Sequence, residues 1–182
     1  MLQYSSHYPT LRRYKILEKP ELIHFNKNID DRGFFVTPFS NADVNRLNIR
    51  EVYISLSFTH LASTVRGMHF QTSPFSEAKL LTVLRGSIHD VVIDVNQSLP
   101  KKNRIFQFKL TDTDNFCLYI PRGFAHGYQT QTDDVLMMYA LDSRYSKLNT
   151  RGFSPLSKNL LNLWPIPPRN IKKEDLAWPE YV

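Results

Sequence analysis

Short runs rich in β-branched and aromatic residues recur along the chain about every ten residues, with turn formers between them. GFFVTPF (33–39), REVYISLSF (50–58), TVRGMHFQ (64–71) and KLLTVL (79–84) read as strands. So do SIHDVVIDV (87–95), RIFQFKLT (104–111), FCLYI (116–120) and DVLMMYAL (134–141), with RRYKIL (12–17) ahead of them all. Breaks fall at Arg85-Gly86, Ser98 to Lys102, Asp112 to Asn115 and Pro121 to Gly123. This rhythm predicts an all-β fold, a closed sandwich or jelly roll. Helix signals are few. Ser40-Asn41-Ala42-Asp43 has capping-box spacing ahead of a short segment ending near Leu47. Residues 155–163 suit one or two helical turns, and the Pro-punctuated tail suits a short turn around Lys172 to Asp175. With no repeat or linker, residues 1–182 read as one domain, long enough to bury a core without staples.

Charge changes the picture modestly. Lys and Arg outnumber Asp and Glu by 23 to 17, but Arg12-Arg13, Lys101-Lys102 and Lys172-Lys173 are scattered, so no tract suits a nucleic-acid groove. A diffuse positive balance fits an anionic small molecule better. Cys117 is the only cysteine, which excludes an intrachain disulfide and a cysteine zinc cage. Its alternation with hydrophobes gives it a packing role. No run approaches the roughly 20 apolar residues that span a bilayer, and the start lacks a secretory layout. A soluble cytoplasmic protein is the expectation.

Candidate chemistry centres on two histidines. In TVRGMHFQ, alternation puts His69 on one face with Gln71, Gly67 and Val65, and Arg66 on the other. For Arg66 and His69 to serve one cavity, Gly67 must supply a bulge that resets the alternation. In HDVVIDV, Asp90 and Asp94 share a face with Ile88 and Val92, either solvated or looking into a polar cavity. An inward Asp90 would fix the tautomer of His69 and raise its basicity. A cupin-type metal site wants two closely spaced histidines, of which one is missing here, and the spacing of His69, Glu77 and His126 is a weak match to a two-histidine, one-carboxylate facial triad. Arg66, Gln71 and Lys79, followed by His126 and Tyr139, instead suit a nucleoside diphosphate and a carbon acid.

Six stretches carry a resemblance. DDRGFFVTPF, VRGMHFQ, AKLLTVLRGSIHDVVIDV, IPRGFAHGYQT, YALDSRY and LLNLWP, in that order and spacing, resemble the dTDP-4-dehydrorhamnose 3,5-epimerase family. The resemblance implies a cupin-like jelly roll, a homodimer with exchanged or shared strands, and neither metal nor other cofactor. It implies a nucleotide-linked 4-keto-6-deoxyhexose as substrate, whose ketone acidifies the hydrogens on C3 and C5. His69 then matches the base, Tyr139 the acid on the far face, and Lys79 the cation beside the enolate oxygen. Arg66 and Arg32 match contacts to the diphosphate, His126 a substrate contact near the ketone, and Gln71 and Phe34 further pocket positions.

Departures accompany the likeness. Where the family is expected to carry an Asp-Pro pair orienting the histidine, this chain reads Ser157-Lys158, so the partner carboxylate is missing from its expected place. Thr37, Ser55 and Asn96 replace a glutamate, an asparagine and an arginine. These changes suggest Asp90 as substitute support and an altered nucleotide, whether dTDP, CDP or GDP, or an altered sugar, with C3, C5 or both inverted. The expectation is an epimerase of deoxysugar biosynthesis. Its rivals are a non-catalytic sugar-nucleotide binder and a 3,4-ketoisomerase on the same scaffold.

Overall fold

A computed structural model describes residues 18–40, 43, 47, 51–95 and 104–182. Two sheets face each other. The first has the order β1 (Glu21–His24), β9 (Phe116–Ile120), β6 (Lys79–Arg85), β11 (Val135–Leu141) and β4 (Tyr53–Thr59). The second runs β12 (Thr150–Gly152), β5 (Thr64–Gln71), β10 (Phe124–Thr130), β7 (Ser87–Asp94) and β8 (Ile105–Thr111). A separate hairpin joins β2 (Lys27–Asp30) to β3 (Gly33–Val36). Every pairing is antiparallel except that of β13 (Asn170–Ile171), which lies parallel to β5. This is the expected jelly-roll sandwich.

The runs chosen as strands become β3 to β9 and β11, with ends that shift by up to three residues. The expected strand at 12–17 and Asn96 lie outside the described residues. The helix expected to end near Leu47 is described only at Asp43 and Leu47. There, Ser40 N donates to Asp43 Oδ2 at 2.8 Å and Leu47 N to Asp43 O at 2.9 Å. The segment around 155–163 gives a 3-10 turn, Leu161–Leu163, and the tail gives α1, Lys173–Leu176. Among the described residues no helix is long and apolar enough to cross a membrane.

Three apolar clusters hold the layers. Leu81, Val83 and Met137 of the first sheet meet Ile88, Val92 and Tyr128 of the second between the layers. Leu80, Cys117, Tyr119 and Ala140 pack on the outer face of the first sheet, beneath Leu47. On the outer face of the second, Val65, Met68, Val91, Ile93 and Ala125 are covered by Leu160, Trp164 and Tyr181 from the C-terminal segment. Each Val, Leu, Ile or Met side chain among them contributes roughly 1.5–3 kcal/mol through burial. With both of its faces covered, β10 is buried at every residue.

Polar links fasten that C-terminal segment. The buried amide of Gln129 donates to Ile166 O at 2.6 Å and accepts from Ile166 N at 3.1 Å. Ser157 is fully buried; its Oγ donates to Ser154 O at 2.5 Å and accepts from Tyr181 N at 2.9 Å. Ser157 is therefore a tether for the last residues.

Candidate active site

The bulge that Arg66 and His69 require is present. On β10, His126 pairs with His69 and Tyr128 with Arg66, so two residues advance on β10 against three on β5. Gly67 sits at φ +129°, and a Cβ there would fall on the Cα of Gly127. Only glycine satisfies both demands. Past the bulge, Arg66 and His69 line one cleft of about 1100 Å³ between the sheets. The second sheet contributes His69 and His126, and the first contributes Lys79 and Tyr139.

The carboxylate beside His69 is not Asp90. Asp175, in the first turn of α1, places Oδ1 2.8 Å from His69 Nε2, while its Oδ2 accepts from Gly67 N at 3.4 Å. Its side chain is 8% exposed and that of His69 36%. A carboxylate oxygen at Nε2 can accept from that nitrogen's N–H, the tautomer that leaves the Nδ1 lone pair free to take a proton. Trp178 meets the imidazole edge to face at 6.4 Å between centroids. The position expected to lack a carboxylate, Ser157, is irrelevant to the pair, because α1 supplies the acid from further along the chain.

Asp90 is fully buried and supports the other histidine: its Oδ2 lies 3.3 Å from His126 Nδ1. Register explains the change, since Asp90 sits opposite Tyr128 on β10, one strand closer to His126 than to β5. Burial drives the Asp90 carboxyl well above its ordinary range and pushes His126 well below its own, with the Lys79 ammonium also opposing charge on His126. Burial thus disfavours charge on both partners, which suits an arrangement with Asp90 O–H donating to Nδ1 and the ring hydrogen on Nε2. Asp94, expected on the same face, is only partly buried.

On the first sheet, Tyr139 stands opposite Leu81 and Ser55. Burial, then the neighbouring Tyr128, raises its phenol well above the ordinary value, so it stays protonated. The Tyr139 and His126 rings are 6.3 Å apart. Lys79 is 3.1 Å from Glu77, each side chain 9% exposed.

Not every expected residue meets this cleft. Arg32 and Phe34 lie on the β2–β3 hairpin. Arg32 is ion-paired to Asp30 at 2.6 Å with its side chain 86% exposed, and Phe34 is 62% exposed. Neither lines the cleft within one chain. Gln71 lines it, but its amide oxygen accepts from Ser146 N at 2.6 Å and its NH2 donates to Glu77 at 2.9 Å. Arg66 also gives Nη2 to Phe58 O at 3.1 Å. Ser55 is a lining residue, whereas Thr37 is exposed near the hairpin. Sequence reasoning missed Asp175, Trp178, Arg169 and Lys147; the only signal was an acidic residue beside a predicted turn in KKEDLAWP. His69, Glu77 and His126 do not gather as ligands: no cluster of three or more His, Cys, Asp or Glu suited to a metal occurs among the described residues.

The chain and its fold have known relatives. A Shigella flexneri dTDP-4-dehydrorhamnose 3,5-epimerase is 28% identical over 91% of this chain and 93% of its own. A Sinorhizobium fredii enzyme of the same name is 33% identical over 72% of this chain and 69% of its own. The structure of dTDP-4-dehydrorhamnose 3,5-epimerase from Bacillus anthracis, with TDP and PPi bound, superposes with a TM-score of 0.82 at 28% identity, covering 92% of this chain and 99% of that one. The profile of the family described as dTDP-4-dehydrorhamnose 3,5-epimerase matches residues 17–181. With a jelly roll, a histidine–carboxylate pair and a facing tyrosine already in place, this chain belongs to the dTDP-4-dehydrorhamnose 3,5-epimerase family of sugar-nucleotide isomerases.

Proposed function

We propose that the cleft epimerises a nucleotide-linked 4-keto-6-deoxyhexose at C3, C5 or both. The observation that carries this reading is His69 on one sheet, paired with Asp175 of α1, and the protonated Tyr139 on the other sheet, lining the same cleft. Deprotonation next to a ketone needs a base, a stabiliser of the enolate oxygen, and an acid on the opposite face of the ring. His69 Nδ1 takes the proton from C3 or C5. The enolate oxygen accepts from the Lys79 ammonium and from His126 Nε2–H, donors fixed before the charge develops. Tyr139 O–H delivers a proton to the opposite face and inverts the carbon. Arg66, with Lys147, Arg169 and Lys172 at the same cleft, supplies positive charge for the diphosphate.

Arg32 and Phe34 enter this reading through a second copy of the chain. The hairpin exposes Ile29, Phe34 and Phe35, and the edge strand β4 exposes Ile54, Leu56 and Phe58 on one face. Apolar edges of this kind call for cover. A homodimer that buries both lets one protomer's hairpin reach its partner's cleft.

The test is solvent exchange. Incubated in deuterium oxide with dTDP-, CDP- and GDP-linked 4-keto-6-deoxyglucose, the protein incorporates deuterium at C3 or C5 of at least one. His69→Ala ends exchange, and Tyr139→Phe ends inversion, with thermal unfolding unchanged. If wild-type protein leaves all three substrates without deuterium, the reading is wrong.

A further inference from the structure

Lys79 enters the cleft with a carboxylate already on it. An ammonium carries three donors. Glu77 Oε1 takes one at 3.1 Å, and Glu77, like Lys79, is only 9% exposed in its side chain. The other oxygen of Glu77 is also engaged, by Gln71 Nε2 at 2.9 Å. Gln71 is in turn immobilised: Ser146 N donates to its Oε1 at 2.6 Å, and the carbonyls of Phe75 and Arg144 lie 3.1 and 3.2 Å from its NH2. Arg144 covers the Phe75 ring at 5.7 Å, closing the bracket. The result is a continuous chain from backbone to Gln71 to Glu77 to Lys79.

We propose that Glu77 is the positioning residue of the enolate subsite, holding the Lys79 ammonium at one donor so that its remaining donors are presented to the substrate oxygen. The inference rests on the enolate reading of the cleft and assigns Gln71 to the same relay instead of to direct substrate contact. A flexible four-carbon stem does not hold a point charge at one place by itself. Glu77 removes that freedom and supplies the countercharge that a nearly buried ammonium requires. Every link is polar in one sense, donor to acceptor, from Gln71 NH2 to carboxylate and from ammonium to carboxylate. A glutamine at 77 keeps the shape yet turns one end into a donor, so it must set NH2 against either the ammonium or the Gln71 amide. One link breaks whichever way it turns.

The experiment compares wild type, Glu77→Gln and Glu77→Ala, using whichever ketosugar the wild-type protein exchanges, with dTDP binding and thermal unfolding measured on each. The expected result is a fall in kcat of about 10- to 100-fold for both variants, the range set by one hydrogen bond to a charged group, with dTDP affinity within twofold of wild type. In a Lys79→Met background, where there is no ammonium to place, Glu77→Gln causes less than a twofold further loss. A kcat within twofold of wild type for both variants overturns the proposal, as does a loss carried by dTDP affinity or an undiminished effect in the Lys79→Met background. If Glu77→Gln fails to fold, Glu77→Ala decides by the same criteria. A wild-type protein that exchanges nothing defeats the enolate reading itself, an outcome distinct from any difference among the variants.

Discussion

Asp175 Oδ1 and His69 Nε2 lie 2.8 Å apart although 106 residues separate them in the chain. The contact sets the tautomer of the imidazole, and with it which nitrogen is free to take a proton. Asp175→Asn preserves shape but offers an amide in place of the carboxylate. It is expected to lower kcat by roughly ten-thousandfold, the loss seen when a catalytic histidine loses its orienting acid. Binding of dTDP should change less than threefold, as isothermal titration would report. Equal losses in binding and turnover would mean that Asp175 shapes the cleft rather than the base.

The buried Asp90–His126 pair predicts opposed pH effects on stability. The Asp90 carboxyl is raised by burial above an ordinary value of 3.8, so the folded chain holds a proton that the unfolded chain releases. Its contribution therefore falls as pH rises through the folded value. His126 is depressed below 6.5, so the unfolded chain binds the extra proton and stability falls as pH drops below that point. Asp90→Asn removes the alkaline loss and leaves the acid one. Melting curves between pH 5 and 9 should show the variant gaining at pH 8, by about 2–4 °C for each kcal/mol recovered. An unchanged alkaline slope would refute the neutral acid.

Gly67 carries both the bulge and the close approach of β5 to β10. Gly67→Ala adds a Cβ where the Gly127 backbone already lies and forces an alanine to φ +129°. The expected cost is at least about 3 kcal/mol, read from urea unfolding. Retained stability would mean that β5 can shift register without loss.

For the proposed dimer, Ile54→Asp tests the exposed face of β4. Ile54 is 55% exposed and does not line the cleft. Light scattering should show the variant at the 21.3 kDa of one chain and the wild type at twice that. Its kcat/KM should fall about tenfold as the partner's hairpin is withdrawn. A wild-type protein that is itself a single chain would end this proposal.

Much of the sandwich was legible because most of its strands alternate or carry dense β-branched runs. After the break at Pro121 to Gly123 no strand is read, yet 124–130 is the buried centre of the second sheet. Its glycine, histidine, glutamine and threonine mask a strand whose outer face is covered by a late segment that local pattern cannot foresee. Alternation put Asp90 on one face with Ile88 and Val92 but left open whether that face met solvent or a cavity, and its partner was hidden too, since that depends on strand order. Asp175 was illegible for a similar reason: nothing local links a four-residue helix to a strand so far away. The demand on Gly67 could be stated from spacing alone, because Arg66 and His69 differ by an odd number of residues.

The parallel pairing of β13 with β5, Asn170 beside Thr64 and Ile171 beside Val65, has a temporal consequence. The strands that wall the cleft are translated well before the segment that brings Asp175 to His69. That same segment carries Arg169 and Lys172 to the cleft. Docking of the tail therefore delivers the partner of the imidazole and two of the cleft's cations in a single event.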